Sequence, residues 1–594
     1  MGGKFQRQLA EGQYLDKFPV VVWLLVAIWI LVIGGVAFLL ELGNTGLVDE
    51  TEPLFAEAAR QMHLTGDWIT PYFNGETRFD KPPLIYWLMA ICYQIFGVNE
   101  WAVRLPSALS AIALMAMGFY ILRRFGTTPS NPSPSPWLPA LIGSALIALH
   151  PSTIIWARTG VSDMLLTSCM GLAMMSFFCG YAHPLPTIRF LRFSPWYLSF
   201  YVFIALAILT KGPVGLVLPG LIIAAFLLYV GKFREVLGEM RWWWGLIIIL
   251  AIALPWYVLV TLANGEAYID SFFGYHNLER FTSVVNRHRA PWYFYFGVVA
   301  AGFAPWSIYL PLAIARLQFW KRSIWRNQNR STHLGLFAWF WFAGVFVFFT
   351  VAVTKLPSYV LPLMPAAAIL VAMFWGNQLA QPRSGWGWKV TILGNAVLFL
   401  AMAALLIHSP RFFQNDEVMP NLSPLLQQSG LPLLGGAIAA ATAGFILLLT
   451  LSRRSGWIWI ANVLGMLAII IFVLMPAATI VDSQRQLPLR QLSQVVVQQR
   501  QPDEELFMIG FKKPSLVFYT RHNVIFNQRI TGAIPELKEA AQKPTPPHLL
   551  ILLPQKILAR LPLPPDQYSS LGQAGTYQLI RVSKEAINRL PAPP

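Results

Sequence analysis

The sequence predicts an all-α polytopic membrane protein with a small soluble α/β domain at its C-terminal end. Three observations lead there. Apolar residues make up 56% of the chain, with 23 Trp and 40 Phe, and the mean hydropathy is +0.53, a balance that leaves a soluble protein too little polar surface. Apolar runs near the length of a bilayer crossing recur from residue 19 to 477. After residue 480 the pattern changes to short apolar runs alternating with polar, helix-compatible stretches.

A helix crosses the hydrocarbon with about 20 apolar residues. The candidate spans are 19–41, 101–122, 137–156, 163–182, 196–210, 212–230, 242–263, 293–315, 334–353, 358–377, 389–408, 431–452 and 456–477, about thirteen crossings. The first follows a basic flank, Lys4, Arg7 and Lys17. Its apolar run is too long for a signal-peptide core and no small-residue cleavage site follows, so it is expected to stay as a signal-anchor helix. Residues 48–100 then form a long polar outer loop, the candidate catalytic loop. It carries Asp49, Glu50, Glu52, Glu57, Asp67, Glu76 and Asp80 together with Trp68, Ile69, Tyr72 and Phe73, a length and composition typical of functional loops. Its apolar run 83–97 is short and is assigned to an interfacial or re-entrant helix. Pro129 to Pro136 forms a flexible linker on the opposite side. Residues 1–480 are the transmembrane domain and 481–594 the extracytoplasmic α/β domain.

The net charge is +17, but the basic residues lie scattered in short loops, which suits anionic headgroups and not a nucleic-acid groove. With the N-terminus cytoplasmic, the inner loops carry Arg123, Arg124, Arg189, Arg192, Lys232, Arg234, Arg241, Arg316 to Arg330, Arg453 and Arg454, whereas most acids fall outside. The positive-inside rule therefore gives N-in, C-out in a plasma (inner) membrane. The three cysteines, Cys92, Cys169 and Cys179, offer neither a disulfide framework nor a metal spacing.

The outward ends of the spans gather ionisable residues: Asp49 and Glu50, then Lys81, Arg158 and Asp163, Lys211, and Lys355 with Tyr359. Charges near the bilayer are costly, so they default to functional candidates, although a snorkelling lysine or a helix-end cap explains any one alone. Lysines and an arginine facing one cavity want a phosphate or diphosphate. An acid among them, Asp49, is expected to have its pKa held low by those cations and to act as a base on an acceptor hydroxyl, while the cations stabilise a departing phosphate. No nucleotide fingerprint or P-loop occurs, and a lipid-linked donor suits an outward site. His276 and His288 share one outer loop, and with Asp80 they form a possible ligand set for a divalent metal, zinc or magnesium, although their spacing matches no established metal motif.

These residues carry a resemblance. Asp49-Glu50-Thr51, Ala56-Glu57, Gly66-Asp67-Trp68, Lys81-Pro82, Arg158 to Asp163, Leu209-Thr210-Lys211-Gly212, His276-Asn277-Leu278-x-Arg280-Phe281 and Lys355-Leu356-Pro357-Ser358-Tyr359-x-Leu361-Pro362 occur in the order found in the polyprenyl-phosphate-sugar-dependent glycosyltransferases of the C superfamily. The chain resembles most the 4-amino-4-deoxy-L-arabinose lipid A transferases, with the protein O-mannosyltransferases more distant. The resemblance implies a GT-C type fold with juxtamembrane helices in the first outer loop, Asp49 as the catalytic carboxylate and Asp163 as a second acid in the cavity. It also implies Lys81, Lys211 and Tyr359 as donor-phosphate ligands, with Arg158 and Lys355 beside them, Glu50 in support, and zinc near Asp80 and His276. Two positions depart from it. Glu52 stands where those transferases carry an arginine, and Asp80 where they carry the longer Glu.

The leading expectation is an inverting transfer of a sugar from a polyprenyl (undecaprenyl-type) monophosphate to an acceptor lipid, glycan or protein on the outer face. Inversion follows from one carboxylate base with no second carboxylate placed as nucleophile. A lipid-linked-sugar transporter or flippase is the alternative, but it calls for internal repeats with paired broken helices and midplane charges, and neither is evident. A non-catalytic sensor using the 480–594 domain leaves the cation–carboxylate set unexplained.

Overall fold

The computed structural model describes residues 19–128, 132–182, 194–272, 290–382, 385–543, 545–561 and 563–590. Among them, nine helices have the length and apolar character to cross a membrane, or up to eleven when two bent pairs count as spans. This lowers the expected number of about thirteen crossings. The difference lies in four places. Pro195–Lys211 and Val214–Val230 are apolar helices of 17 residues each. The runs 137–156 and 293–315 are broken helices, Trp137–Ala148 with Pro151–Ala157 bent by 59° and Phe294–Gly302 with Trp306–Leu317 bent by 112°. Proline explains both interruptions, because it lacks an N–H and forces the preceding residue out of the helical region. His150, before Pro151, is extended at φ −107°, ψ 149°, and its ring caps the next helix by accepting from Thr153 N.

Two helices form the centre of the bundle. Ser162–Ala182 and the segment Pro357–Ala380 are 94% buried over their apolar windows, whereas Trp242–Asn264 is 22% buried and faces outward. Small residues allow the close approach of backbones that membrane helices favour. A Cβ at Gly143 would overlap Leu122 and press on Ala372, so three helices meet at that glycine.

The loop after the first span folds into the helix Glu52–Thr65, a short hairpin of β1 (Tyr72–Phe73) and β2 (Glu76–Thr77), and the helix Leu84–Phe96. The two helices pack together, with Tyr93 donating to Ala56 O at 3.1 Å. Leu84–Phe96 is one of the shorter apolar helices.

Beyond Leu487–Gln499 stands a five-stranded sheet built from β3 (Leu506–Ile509), β4 (Val524–Asn527), β5 (His548–Pro554), β6 (Tyr568–Ala574) and β7 (Tyr577–Ser583), ordered β4-β3-β5-β7-β6. β3 runs parallel to β4 and β5, and β7 antiparallel to β5 and β6. The central strands are continuous apolar runs because both faces are covered. Leu489, Leu492 and Val496 pack on one face, and Ala533, Leu537, Ala540 and Ile587 on the other.

This domain is docked on the loop that follows the first span. The Asn74 side chain donates to Val524 O at 2.9 Å and accepts from Val524 N at 2.8 Å, pairing the edge strand β4 as a neighbouring backbone would. Phe73 packs against the same domain core. Tyr519 receives the Leu47 N–H at 2.9 Å and donates to Glu100 at 2.9 Å.

Candidate active site

Helix polarity brings the first group together. Asp163 lies in the first turn of Ser162–Ala182, and Lys211 ends Pro195–Lys211. An acid at a helix N-terminus and a base at a C-terminus each complement the local backbone charge. Gly212 closes the latter helix at φ 87°, a conformation glycine adopts without strain. Lys211 Nζ then donates to Asp163 Oδ1 at 2.7 Å. The Ser358 hydroxyl also bonds the Asp163 carboxylate, and the adjacent Tyr359 presents its ring 5.5 Å from Lys211 Nζ. Lys81 is close enough for its charge to act on Asp163. Its ammonium donates to Asp80 O at 2.8 Å and Asp80 Oδ1 at 2.6 Å, while Arg78 Nη2 donates to Asp80 Oδ2 at 2.7 Å. The structure therefore gathers Lys81, Lys211, Asp163 and Tyr359 of the expected residues, and adds Ser358 and Arg78. All keep partial exposure except the buried Ser358, as groups that meet a ligand must.

Two expected phosphate ligands stand differently. Lys355 is buried and donates to Thr350 O and Ala352 O, both at 2.7 Å, capping the carbonyl end of Leu334–Val351 with its ammonium 5.7 Å from the Tyr295 ring. Arg158 ends Pro151–Ala157 half-buried, with one long bond of 3.5 Å to Ala37 O. Burial, with the like charge of Arg104, pulls its guanidinium down to about 10.

Asp49 sits apart from the lysines in its hydrogen bonding. It is 6% exposed, and its carboxylate accepts from Ser515 N at 2.9 Å and Ser515 Oγ at 2.5 Å. With its amide nitrogen turned to the carboxylate, Gln486 donates to Asp49 Oδ2 and accepts from Asp49 N, both at 3.2 Å. The expectation that cations hold this acid low is corrected. Burial raises its pKa above the ordinary carboxylate value, and the Ser515 bonds and the charges of Lys513 and Arg485 only partly oppose it. Glu50, next to it, is exposed.

Glu52 joins the two groups. Its carboxylate is 1% exposed and accepts from Arg104 Nε at 2.8 Å, Arg104 Nη2 at 2.9 Å, Val48 N at 2.7 Å and Gly160 N at 2.7 Å. Arg104 spends its other protons on Leu42 O, Thr45 O and Oγ1, and Gly46 O. The acid that replaces an arginine of the resembled family is thus the anchor of the Asp49 segment and of the loop leading to Asp163. Glu57, in the same helix as Glu52, is fully buried and paired with Arg60 at 2.7 Å.

For a metal, both oxygens of Asp80 are engaged by cations, and no group of three or more His, Cys, Asp or Glu has metal-site geometry among the described residues. His276 and His288 lie outside the described residues.

Comparisons with known proteins bear on this site. A family model described as dolichyl-phosphate-mannose-protein mannosyltransferase matches residues 80–258, which include Lys81, Arg158, Asp163 and Lys211. A cyanobacterial RgtA-type glycosyltransferase C-terminal domain matches residues 499–593. The undecaprenyl phosphate-α-4-amino-4-deoxy-L-arabinose arabinosyl transferase of Shewanella sediminis is 29% identical over 372 residues, 62% of this chain and 63% of that protein. Its counterpart from Pseudomonas aeruginosa is 27% identical over 406 residues, 65% of each. The crystal structure of ArnT from Cupriavidus metallidurans bound to undecaprenyl phosphate superposes with a TM-score of 0.76 over 95% of this chain and 98% of that one, at 21% identity. The chain is thus similar in sequence to these arabinosyl transferases and shares the fold of ArnT. The matched region spans just under two thirds of the length of these curated transferases, and the structural likeness extends the shared fold over nearly the whole chain. Ser515, Gln486 and Lys513 are the site residues that sequence reasoning missed. Ser358 had a signal, since it adjoins Tyr359 in one motif. Ser515 had none.

Proposed function

We propose that this membrane protein transfers a sugar from a polyprenyl monophosphate to a hydroxyl or phosphate of an acceptor lipid, glycan or protein. The observation that carries the reading is the Lys81–Lys211–Asp163–Ser358–Tyr359 cluster at one end of the bundle. Such a cluster recognises a phosphate as a point-charge ligand. Asp163 orients the Lys211 ammonium, Lys81 and Lys211 draw the phosphate, and the Tyr359 hydroxyl completes the grip. Arg158, held by one long bond, supplies a further cation, and Lys355 steadies the Tyr359 segment from its buried position.

In the transfer step an acceptor oxygen attacks the anomeric carbon as the bond from that carbon to the phosphate oxygen breaks. The electron pair leaves with the polyprenyl phosphate, whose charge the lysines stabilise. A hydroxyl acceptor's proton passes to Asp49, the general base. Attack opposite the leaving phosphate inverts the anomeric configuration. The positive-inside distribution supports an N-in orientation in the plasma membrane, with site and C-terminal domain extracytoplasmic.

Mass spectrometry of lipids and glycans tests this in cells carrying the wild type or Asp49→Asn. Loss of one glycosylated species, with its polyprenyl-phosphate-sugar accumulating in the variant, supports it. Identical profiles with both proteins present in the membrane overturn it.

A further inference from the structure

The Asp49 carboxylate is held by residues outside the transmembrane bundle. Both Ser515 donors, its N–H and its hydroxyl, reach it, and Ser515 is fully buried. A carboxylate offers about four acceptor positions. Ser515 N, Ser515 Oγ and Gln486 occupy three, which leaves one open on Oδ1 to receive a proton. The same short helix, Ser515–Thr520, grips the Asp49 segment a second time through Tyr519, which receives the Leu47 N–H. The short helix thus supplies two of the three donors that fix the carboxylate in position and orientation, and Gln486 supplies the third.

Resting on the reading of Asp49 as the base, we infer that Ser515 is a positioning residue for transfer and that the C-terminal domain completes the active site. A domain serving acceptor recognition alone needs no contact with the base. The charged groups around Asp49 support the inference. Lys513 and Arg485 favour its ionised form, as do the Ser515 bonds, while burial opposes it. Tyr577 on β7 feels the Asp49 charge, and Glu50 points to solvent. The Ser515 bonds and the neighbouring cations oppose part of the upward push of burial, so removing the Ser515 hydroxyl raises the Asp49 pKa further.

The test uses the full chain in proteoliposomes with a polyprenyl-phosphate-sugar and measures kcat and donor KM against pH for wild type, Ser515→Ala, Ser515→Thr and Asp49→Asn. For Ser515→Ala the acid limb of kcat moves up by about one pH unit, with about a tenfold loss at the acid end. Donor KM stays within about twofold, because the phosphate cluster is untouched. Ser515→Thr, which keeps the hydroxyl, restores the limb. If alanine prevents insertion, Ser515→Cys keeps the volume and the backbone donor with a weaker side-chain donor, and the same upward shift is expected. A limb that superimposes on the wild type in the inserted variant overturns the inference. Should Asp49→Asn turn over like the wild type, the base assignment itself fails. Should Asp49→Asn be dead while the Ser515 variant matches the wild type, only the positioning role fails.

Discussion

Replacing Glu52 with alanine tests the anchor that joins the two halves of the site. The substitution removes the counter-charge of Arg104, which is 2% exposed, and strips Val48 N and Gly160 N of their acceptor. Breaking a buried ion pair by removing one partner costs about 3–5 kcal/mol. Each buried N–H left without a partner costs about 1–3 kcal/mol more before relaxation. Arg104 retains its carbonyl partners, so the loss falls toward the lower part of that sum. Thermal unfolding of the detergent-purified protein measures it, with Glu417→Ala as the control. Glu417 is 77% exposed and meets Lys556 at 3.7 Å, and exposed pairs contribute little. Glu52→Ala lowers the unfolding midpoint clearly and the control does not. A double-mutant cycle with Arg104→Met gives a coupling of about 2–3 kcal/mol, the upper range for contacting residues. Equal midpoints for the two glutamate variants, or additive behaviour in the cycle, refute the reasoning.

Other perturbations address the remaining parts. Lys211→Met removes a cation from the phosphate cluster and leaves Asp163 without its 2.7 Å partner; donor KM rises at least about tenfold in steady-state kinetics, the effect of one charge-assisted contact. Burial raises the Asp49 pKa, so the wild-type acid limb has its midpoint above the ordinary aspartate value of about 3.9. Activity is full above that midpoint and lost as pH falls through it, which a pH series of kcat reads directly. Asn74→Ala deletes both hydrogen bonds to Val524, about 1–2 kcal/mol in all, and hydrogen exchange at the Val524 amide accelerates while the β5 amides keep their protection.

Nine of the spans were legible because each is an apolar run of the right length among the described residues, and length separates such runs from soluble helices. The breaks were not legible, since Pro151 and Pro305 sit in stretches as apolar as any span and composition is blind to an angle. Lys211 and Tyr359 stood out as charges and polar rings at span ends. What escaped notice was pairing across distance. Asp49 and Ser515 are separated by 466 positions, and a single sequence carries no signal that they touch. Glu52 stands out in the sequence as an acid in place of an arginine, yet nothing in the sequence marks Arg104, 52 positions away, as its partner. Burial turned that conspicuous departure into the residue on which the local structure hangs.

The central claim is that the lysine cluster and Asp49 together move a sugar off a polyprenyl phosphate. Proteoliposomes holding the purified chain, a polyprenyl-phosphate-sugar and an acceptor extract allow the released polyprenyl monophosphate and the glycosylated product to be quantified together by mass spectrometry. Equal amounts of each are expected with the wild type and neither with Asp49→Asn. Release or product formation by Asp49→Asn at the wild-type rate contradicts it.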